Sequence, residues 1–598
     1  MFNNIQKYLN LFKDAKKNNF PLIKGKLPKV TFLKYKFTIL FAALFILYTF
    51  FGFGLIPNIF YYYFTLGFAY FSFKFIALIS GIVLLLFFIF TTYSYLKFKN
   101  NELTTYKKVL RHYLIPIKKF LCSPVSTIKF LISLMYKPTS LIKPLPSDTF
   151  SLFLGKSSGL LAKLWHTTSL APNQNVFLDI NDASKNILAL GGIGSGKTSA
   201  VMQPLLLQLL AQNCGGLIFD IKGDVKDSSL KFAKHTNHNI TLIGPDHSKI
   251  NLLAGLSPSV AASFLKSSLL TSGSSNLDLF WIDTASELSR NVLGLLSFIP
   301  KFYTLSNLYS YIFDPDATKL LDEKLTSVKH SLPPEQRRLF DVYHKYKSSI
   351  FDAFDDKVKS GVKATLAQAL SPFNHPSLSD AFCSSDTLKI EDILSGSVFL
   401  VDMPISTWGL AAKVAYTFIK LRFFNLMQKN HNAHNRTLPV FFMCDEFQEI
   451  VSCNKDGLSD LNFWDKSRSS KTIGIISAQS ISSFFAATPS RDYAYALLQN
   501  FRNKICLSTE DPLTIEYLSK LTGMAKTRKK SFSFSFQSSS SQTISEARDH
   551  VLEAQVFRSL SPDSALAILS IDNKSSDDAL KLFPIFLEDK NSNSSNEK

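Results

Sequence analysis

Eight residues from Gly191 to Thr198 read GGIGSGKT and fit the spacing G-x-x-x-x-G-K-[ST]. Glycines at this spacing let a backbone loop wrap a phosphate, with successive N–H groups pointing inward at the positive end of a helix dipole. The expected cradle is Gly191, Gly194, Ser195, Gly196, Lys197, Thr198 and Ser199. Lys197 would reach the β and γ phosphates, and the Thr198 hydroxyl would ligand Mg²⁺. A second group lies in PVFFMCDEFQE at 439–449, where four apolar residues precede Cys444, Asp445 and Glu446. This is the Walker B pattern, a buried strand that delivers Asp445 to the Mg²⁺ and Glu446 to the attacking water. A third strand, TIGIISAQS at 472–480, ends in Gln479, whose amide can sense a γ-phosphate. Glycine-rich turns and strands ending in Asp-Glu are each common. It is the pair, in this order, that predicts a site for ATP and Mg²⁺.

The elements that must position these residues are legible in the hydrophobic pattern. Ile187 to Leu190 form a short apolar strand, and the apolar residues after Thr198 recur at helical spacing. GGLIFDIKGD is a strand ending in Asp220, Lys222 and Asp224, and HNITLIGP at 238–245 is the next. Strands alternating with helices imply a parallel α/β sheet, whose ligands bind at the carboxyl ends of the strands. From 257 to 394 the strand pattern stops. Val362, Leu366, Ala369 and Leu370 line one helix face, and Pro333-Pro334 can open another helix at Glu335. Strands resume at SVFLVDMP, 397–404. The expected fold is thus an α/β motor domain, 171–256 and 395–585, with an all-α domain inserted at 257–394. SFSFSFQSSSSQ at 531–542 reads as a flexible low-complexity loop, VFRSL…ALAILSI as a last helix and strand, and 586–598 as a disordered tail.

Hydrophobic residues make up 46% and charged ones only 19% of the 598, so part of the apolar content is expected in membrane. Two spans are predicted within 37–95, about Phe37–Ile56 and Phe75–Tyr95, with Pro57-Asn58 between them and an aromatic connector at the far interface. Residues 1–36 and the start of the 96–170 connector are rich in lysine, which places both ends and the motor in the cytoplasm. The total net charge is +20, but residues 1–150 hold 20 Lys+Arg against Asp14, Glu102 and Asp148, leaving +3 for the rest. The basic excess is therefore mainly a membrane-flank signal and says little about DNA. Six cysteines without a C-x-x-C pair argue against zinc and fit reduced thiols.

The set GGIGSGKT, DIKGD, a helical insertion, CDEF, IISAQS and KICLSTEDP…YLSKLTG resembles the type IV coupling proteins, the TraG/TraD-like ATPases of conjugation and type IV secretion. The two spans match as well. The resemblance implies a RecA-like motor, an all-α domain, a homo-hexamer in the bacterial inner membrane, and delivery of a relaxase–DNA complex to a secretion channel. It also implies an arginine acting in trans, with Arg468 as the best match and Arg502 as the alternative. Two departures stand out: relatives often have Asp-Pro-Lys-Gly-Glu where this chain has Asp220-Ile221-Lys222-Gly223-Asp224, and the usual Leu-Gly after DEF is absent. The alternatives are a chromosome-moving DNA pump of the FtsK/HerA type and a cargo receptor that ATP switches without translocation.

Overall fold

The computed structural model describes residues 149–585, apart from 164–168, 273–278, 385–387, 431–435 and 534–540. The predicted spans, their basic flanks and the polar tail lie outside the described residues. Among the described residues no helix is long and apolar enough to cross a membrane.

Among the described residues there are thirteen strands: β1 (Ser151–Ser157), β2 (Asn175–Asp179), β3 (Ile187–Leu190), β4 (Gly216–Asp220), β5 (Ile240–Ile243), β6 (Val398–Asp402), β7 (Val440–Cys444), β8 (Thr472–Ala478), β9 (Asn503–Cys506), β10 (Met524–Ser533), β11 (Ser541–His550), β12 (Ser564–Ile571) and β13 (Lys574–Lys581). Eleven of them form one sheet, in the order β2-β1-β13-β12-β9-β3-β8-β7-β4-β6-β5. From β9 to β5 every pairing is parallel, as the alternation of strands and helices predicts. Beyond β9 four strands continue the sheet in antiparallel fashion. The sheet therefore begins at Ser151, inside the stretch expected to be a connector, so the boundary at 171 lies too late. β13 also escapes the hydrophobic pattern because KSSDDALK is polar. Its Asp578 is buried as an acceptor for the backbone N–H groups of Gly159, at 2.5 Å, and Leu161, at 3.0 Å. The Asp572-Asn573 turn between β12 and β13 has positive φ at both residues, the geometry of a tight two-residue hairpin.

Side chains alternate across each parallel strand, and the two sets enter different cores. Ile187, Ile218, Phe441 and Ile475 pack under the helix that follows the glycine loop, α1 (Gln203–Ala211). Leu188, Phe219, Phe442 and Ile476 face the helical insertion and α2 (Ile405–Lys429). Between β5 and β6 the regular elements of the described residues are all helical, from Pro258–Ser272 to Ile390–Ser395, and Val362, Leu366, Ala369 and Leu370 are buried. Its core is continuous with one face of the sheet.

α2 also braces the loop after β7. Phe423 and Phe424 pack on Phe442, and Phe424 stacks on Phe463 with ring centroids 3.9 Å apart. Lys420, fully buried, donates to Asp460 at 2.6 Å and to the carbonyl of Ile450. Asp460 in turn accepts from the N–H and hydroxyl of Ser452 and from Trp464 Nε1. Removing one partner strands a charge in apolar surroundings, which costs about 3–5 kcal/mol. Lys420→Met should lower unfolding stability by that amount in denaturant titrations, whereas a loss below about 1 kcal/mol would mean that the pair is not closed.

Candidate active site

The glycine loop sits at the carboxyl end of β3, between β8 and β9. Gly194 and Gly196 adopt φ of 73° and 92°, a left-handed backbone that β-carbons disfavour. These two positions curl the loop between β3 and the helical turn that begins at Lys197. Ser195 Oγ is buried there without a hydrogen-bond partner. An orphaned hydroxyl in a glycine-rich turn that leads into a helix suits an anion with several oxygens. Lys197 is buried, and its ammonium folds back on the carbonyls of Gly191, at 2.8 Å, and Gly192, at 3.2 Å. Burial pulls its pKa below the ordinary lysine value, opposed by the charges of Glu446 and Asp445. Ser199 lies one step into the following turn, with its hydroxyl directed at Gly196 O.

β7 carries Asp445 and Glu446 to the same place. Thr198 Oγ1 donates to Asp445 Oδ2 at 2.9 Å, so the two expected metal ligands are in contact across 247 residues. The other carboxylate oxygen accepts from Ser477 on β8 and from Glu446 N. Ser477 escapes the sequence reading because a serine inside a buried strand carries no spacing signal. Mg²⁺ takes one or two carboxylates, a hydroxyl and otherwise water and phosphate oxygens. Thr198 and Asp445 fit that requirement, and among the described residues there is no larger cluster of metal-ligating side chains.

Glu446 is more constrained than a strand terminus needs to be. Its backbone is left-handed, with φ 53° and ψ 48°, a conformation costing about 1–3 kcal/mol in a residue other than glycine. One carboxylate oxygen, Oε1, pairs with Lys222 and lies 3.4 Å from Gln479 Nε2. The other accepts from Gln448 Nε2 at 2.6 Å. Burial works against ionisation, but the hydrogen bonds from Lys222 and Gln448 and the charges of Lys222 and Lys197 win, holding the carboxyl below its usual range. Lys222 sits in the turn after β4, which pairs with β7 and so brings it to Glu446. Asp220, at the end of β4, turns inward instead. It caps the turn by accepting from the N–H groups of Gly223, Asp224, Val225 and Lys226, and Asp224 serves that cap through its own N–H. Of the three polar residues at the end of this strand, Lys222 alone bonds Glu446 by its side chain, while burial and then the charge of Asp445 raise the pKa of Asp224.

Arg468 is not part of this cluster. It lies exposed in the turn of Ser467–Ser470, before the amino end of β8. β8 has seven residues, so at about 3.3 Å per residue Arg468 is roughly 20 Å from the carboxyl edge. Arg502, before β9, is exposed at the same edge. Neither can reach the glycine loop of this chain.

The model of the family described as Type IV secretory system Conjugative DNA transfer matches residues 168–574. The chain belongs to that family. Among solved structures it is similar to the bacterial conjugative coupling protein TrwBdeltaN70 in an unbound form, at 15% identity and a TM-score of 0.52, covering 74% of this chain and 95% of that one. Plasmid coupling protein TrwB in complex with the GTP analogue GDPNP matches at 14% identity and 0.51, covering 75% and 97%. The same protein with ADP and Mg²⁺ matches at 14% and 0.50, covering 74% and 95%. At these identities the likeness establishes the P-loop α/β motor fold. No curated protein sequence matches the chain.

Proposed function

We propose that the chain is a membrane-anchored, ATP-driven coupling protein that recruits a DNA–relaxase or protein cargo and delivers it to a type IV secretion channel. The observation that carries this reading is the meeting of Lys197, Thr198, Asp445 and Glu446 at one strand edge in a member of the conjugative DNA transfer family. That TrwB structures hold nucleotide and Mg²⁺ supports the same ligands here. The long apolar stretches within 37–95 and their lysine-rich flanks support an inner-membrane anchor with the motor in the cytoplasm. Arg468 and Arg502, exposed far from their own loop, support a ring in which each site borrows an arginine from its neighbour, as in a homo-hexamer.

In this reading the loop N–H groups, Ser195 and Lys197 bind the phosphates, and Lys197 leaves the carbonyls of Gly191 and Gly192 to do so. Mg²⁺, held by Thr198 and Asp445, would neutralise charge on the phosphates. Glu446 takes a proton from the attacking water, and Gln479 bridges it to the terminal phosphate. In the free chain three donors, Lys222, Gln448 and Gln479, occupy all but one of the carboxylate's four lone-pair sites. Lys222 therefore competes with the attacking water for Oε1.

That constraint gives a pH signature. Lys222 holds the Glu446 pKa down, so the base stays ionised further into acid. In Lys222→Met the pKa rises, and the acid limb of the kcat/KM profile should move to higher pH, while Lys222→Arg leaves it in place. An unmoved limb in Lys222→Met would detach Lys222 from the base. The function itself is tested with the purified full-length chain: Mg²⁺-dependent ATP hydrolysis that rises more than linearly with protein concentration is expected, and absence of hydrolysis at every concentration would refute it.

A further inference from the structure

β10 and β11 pair only with each other and stand outside the main sheet. Residues 531–533 and 541–542, expected to be loop, are instead the far ends of these strands. The ribbon concentrates charge. Of 66 Lys+Arg and 46 Asp+Glu, residues 1–150 hold 20 and 3, which leaves 46 and 43 for residues 151–598. Residues 524–550 contain Lys526, Arg528, Lys529, Lys530 and Arg548 against Glu546 and Asp549. Removing these leaves 41 of each sign, so this one ribbon accounts for the whole net charge of residues 151–598.

The register arranges that charge. Met524 pairs with His550, Lys526 with Arg548, Arg528 with Glu546, Lys530 with Ile544 and Phe532 with Gln542. Residues two apart on a strand, and those directly opposite on its partner, share a face. One face therefore carries Lys526, Arg528, Lys530 and Arg548, with Glu546 as its single acid, and its first pair, Met524 and His550, is exposed. Lys529 and Asp549 fall on the other face. Along β10 the three cations recur about every 6.8 Å, followed in the same row by Phe532. Evenly spaced cations track a phosphate backbone, and an aromatic in line with them offers a surface on which an unpaired base can stack. A duplex offers no free base face to such a residue.

We propose that the β10–β11 ribbon is the arm by which each subunit grips single-stranded DNA. This rests on the reading that the cargo includes DNA. It explains how a motor that is otherwise neutral holds a polyanion: each subunit added to a ring adds one net charge of about +3 at a defined place. The test is the binding of a fluorescent single-stranded oligonucleotide to the full-length, detergent-solubilised chain over a range of salt. Lys526→Thr/Arg528→Thr/Lys530→Thr keeps residues that suit a strand. It should lower the slope of log affinity against log salt by about 2, from roughly 0.7 per phosphate contact. Phe532→Ala should weaken binding about tenfold, the scale of one lost stacked base. Lys529→Thr should stay within about twofold, by the same account of which face meets the strand. Nucleotide affinity should be unchanged in all of them, and Lys526→Arg/Lys530→Arg should bind like the parent, which separates lost charge from a misfolded ribbon. A parent slope in the triple variant overturns the ribbon alone. Loss of duplex but not single-strand binding overturns the choice of strand. A parent chain that binds no single-stranded DNA overturns both the ribbon and the DNA-cargo reading.

Discussion

Glu446→Gln protein should hold ATP with the parent's affinity and hydrolyse it roughly 10²–10⁴-fold more slowly, the worth of a general base. The amide keeps the shape of the carboxylate, and its oxygen can still accept from Lys222 and Gln479, but it cannot take a proton from water. Lys197→Ala should differ in kind. It removes the buried cation of the phosphate cradle, so nucleotide binding itself should be lost. Measuring affinity by nucleotide titration and turnover by phosphate release on both variants separates the two roles. Parental turnover in Glu446→Gln would reassign the base.

Arg468→Ala should lower hydrolysis roughly 10³-fold or more, the scale of a trans-acting arginine, with nucleotide affinity intact. Its distance from its own glycine loop makes a stronger claim testable. Arg468→Ala subunits supply an intact Lys197, and Lys197→Ala subunits supply an intact Arg468. Mixed before assembly, they should regain part of the parent rate, because some interfaces then contain both residues. No recovery across all ratios would remove Arg468 from the role, and the same mixture made with Arg502→Ala would test the residue at the same edge.

The parts of the site that the sequence showed are those in which chemistry and spacing coincide within a few residues. The run from Gly191 to Thr198 and the apolar strand ending in Asp445-Glu446 each carry their geometry locally, and the structure joins them through the bond from Thr198 to Asp445. Lys222 lies 224 residues from Glu446. Its role depends on the adjacency of β4 and β7, which no local pattern encodes. Asp220 illustrates the converse: a carboxylate at the correct strand end looks like a ligand, yet its oxygens are used by the turn that follows. The parallel half of the sheet was legible because its strands are buried on both faces and read as apolar runs. The antiparallel extension was not, since β13 buries Asp577 and Asp578 and the serine-rich stretch at 531–542 has a composition typical of loops. Only pairing in register turns that stretch into strand.

Hydrolysis at this site is expected to move cargo. The most direct test is delivery from cells in which Glu446→Gln replaces the parent chain at matched membrane levels, scored as cargo reaching recipient cells. Delivery should fall with turnover while cargo is still recruited to the membrane. Delivery at the parent level, by a protein shown in the same preparation to have lost hydrolysis, would contradict it and make the chain a receptor that ATP merely switches.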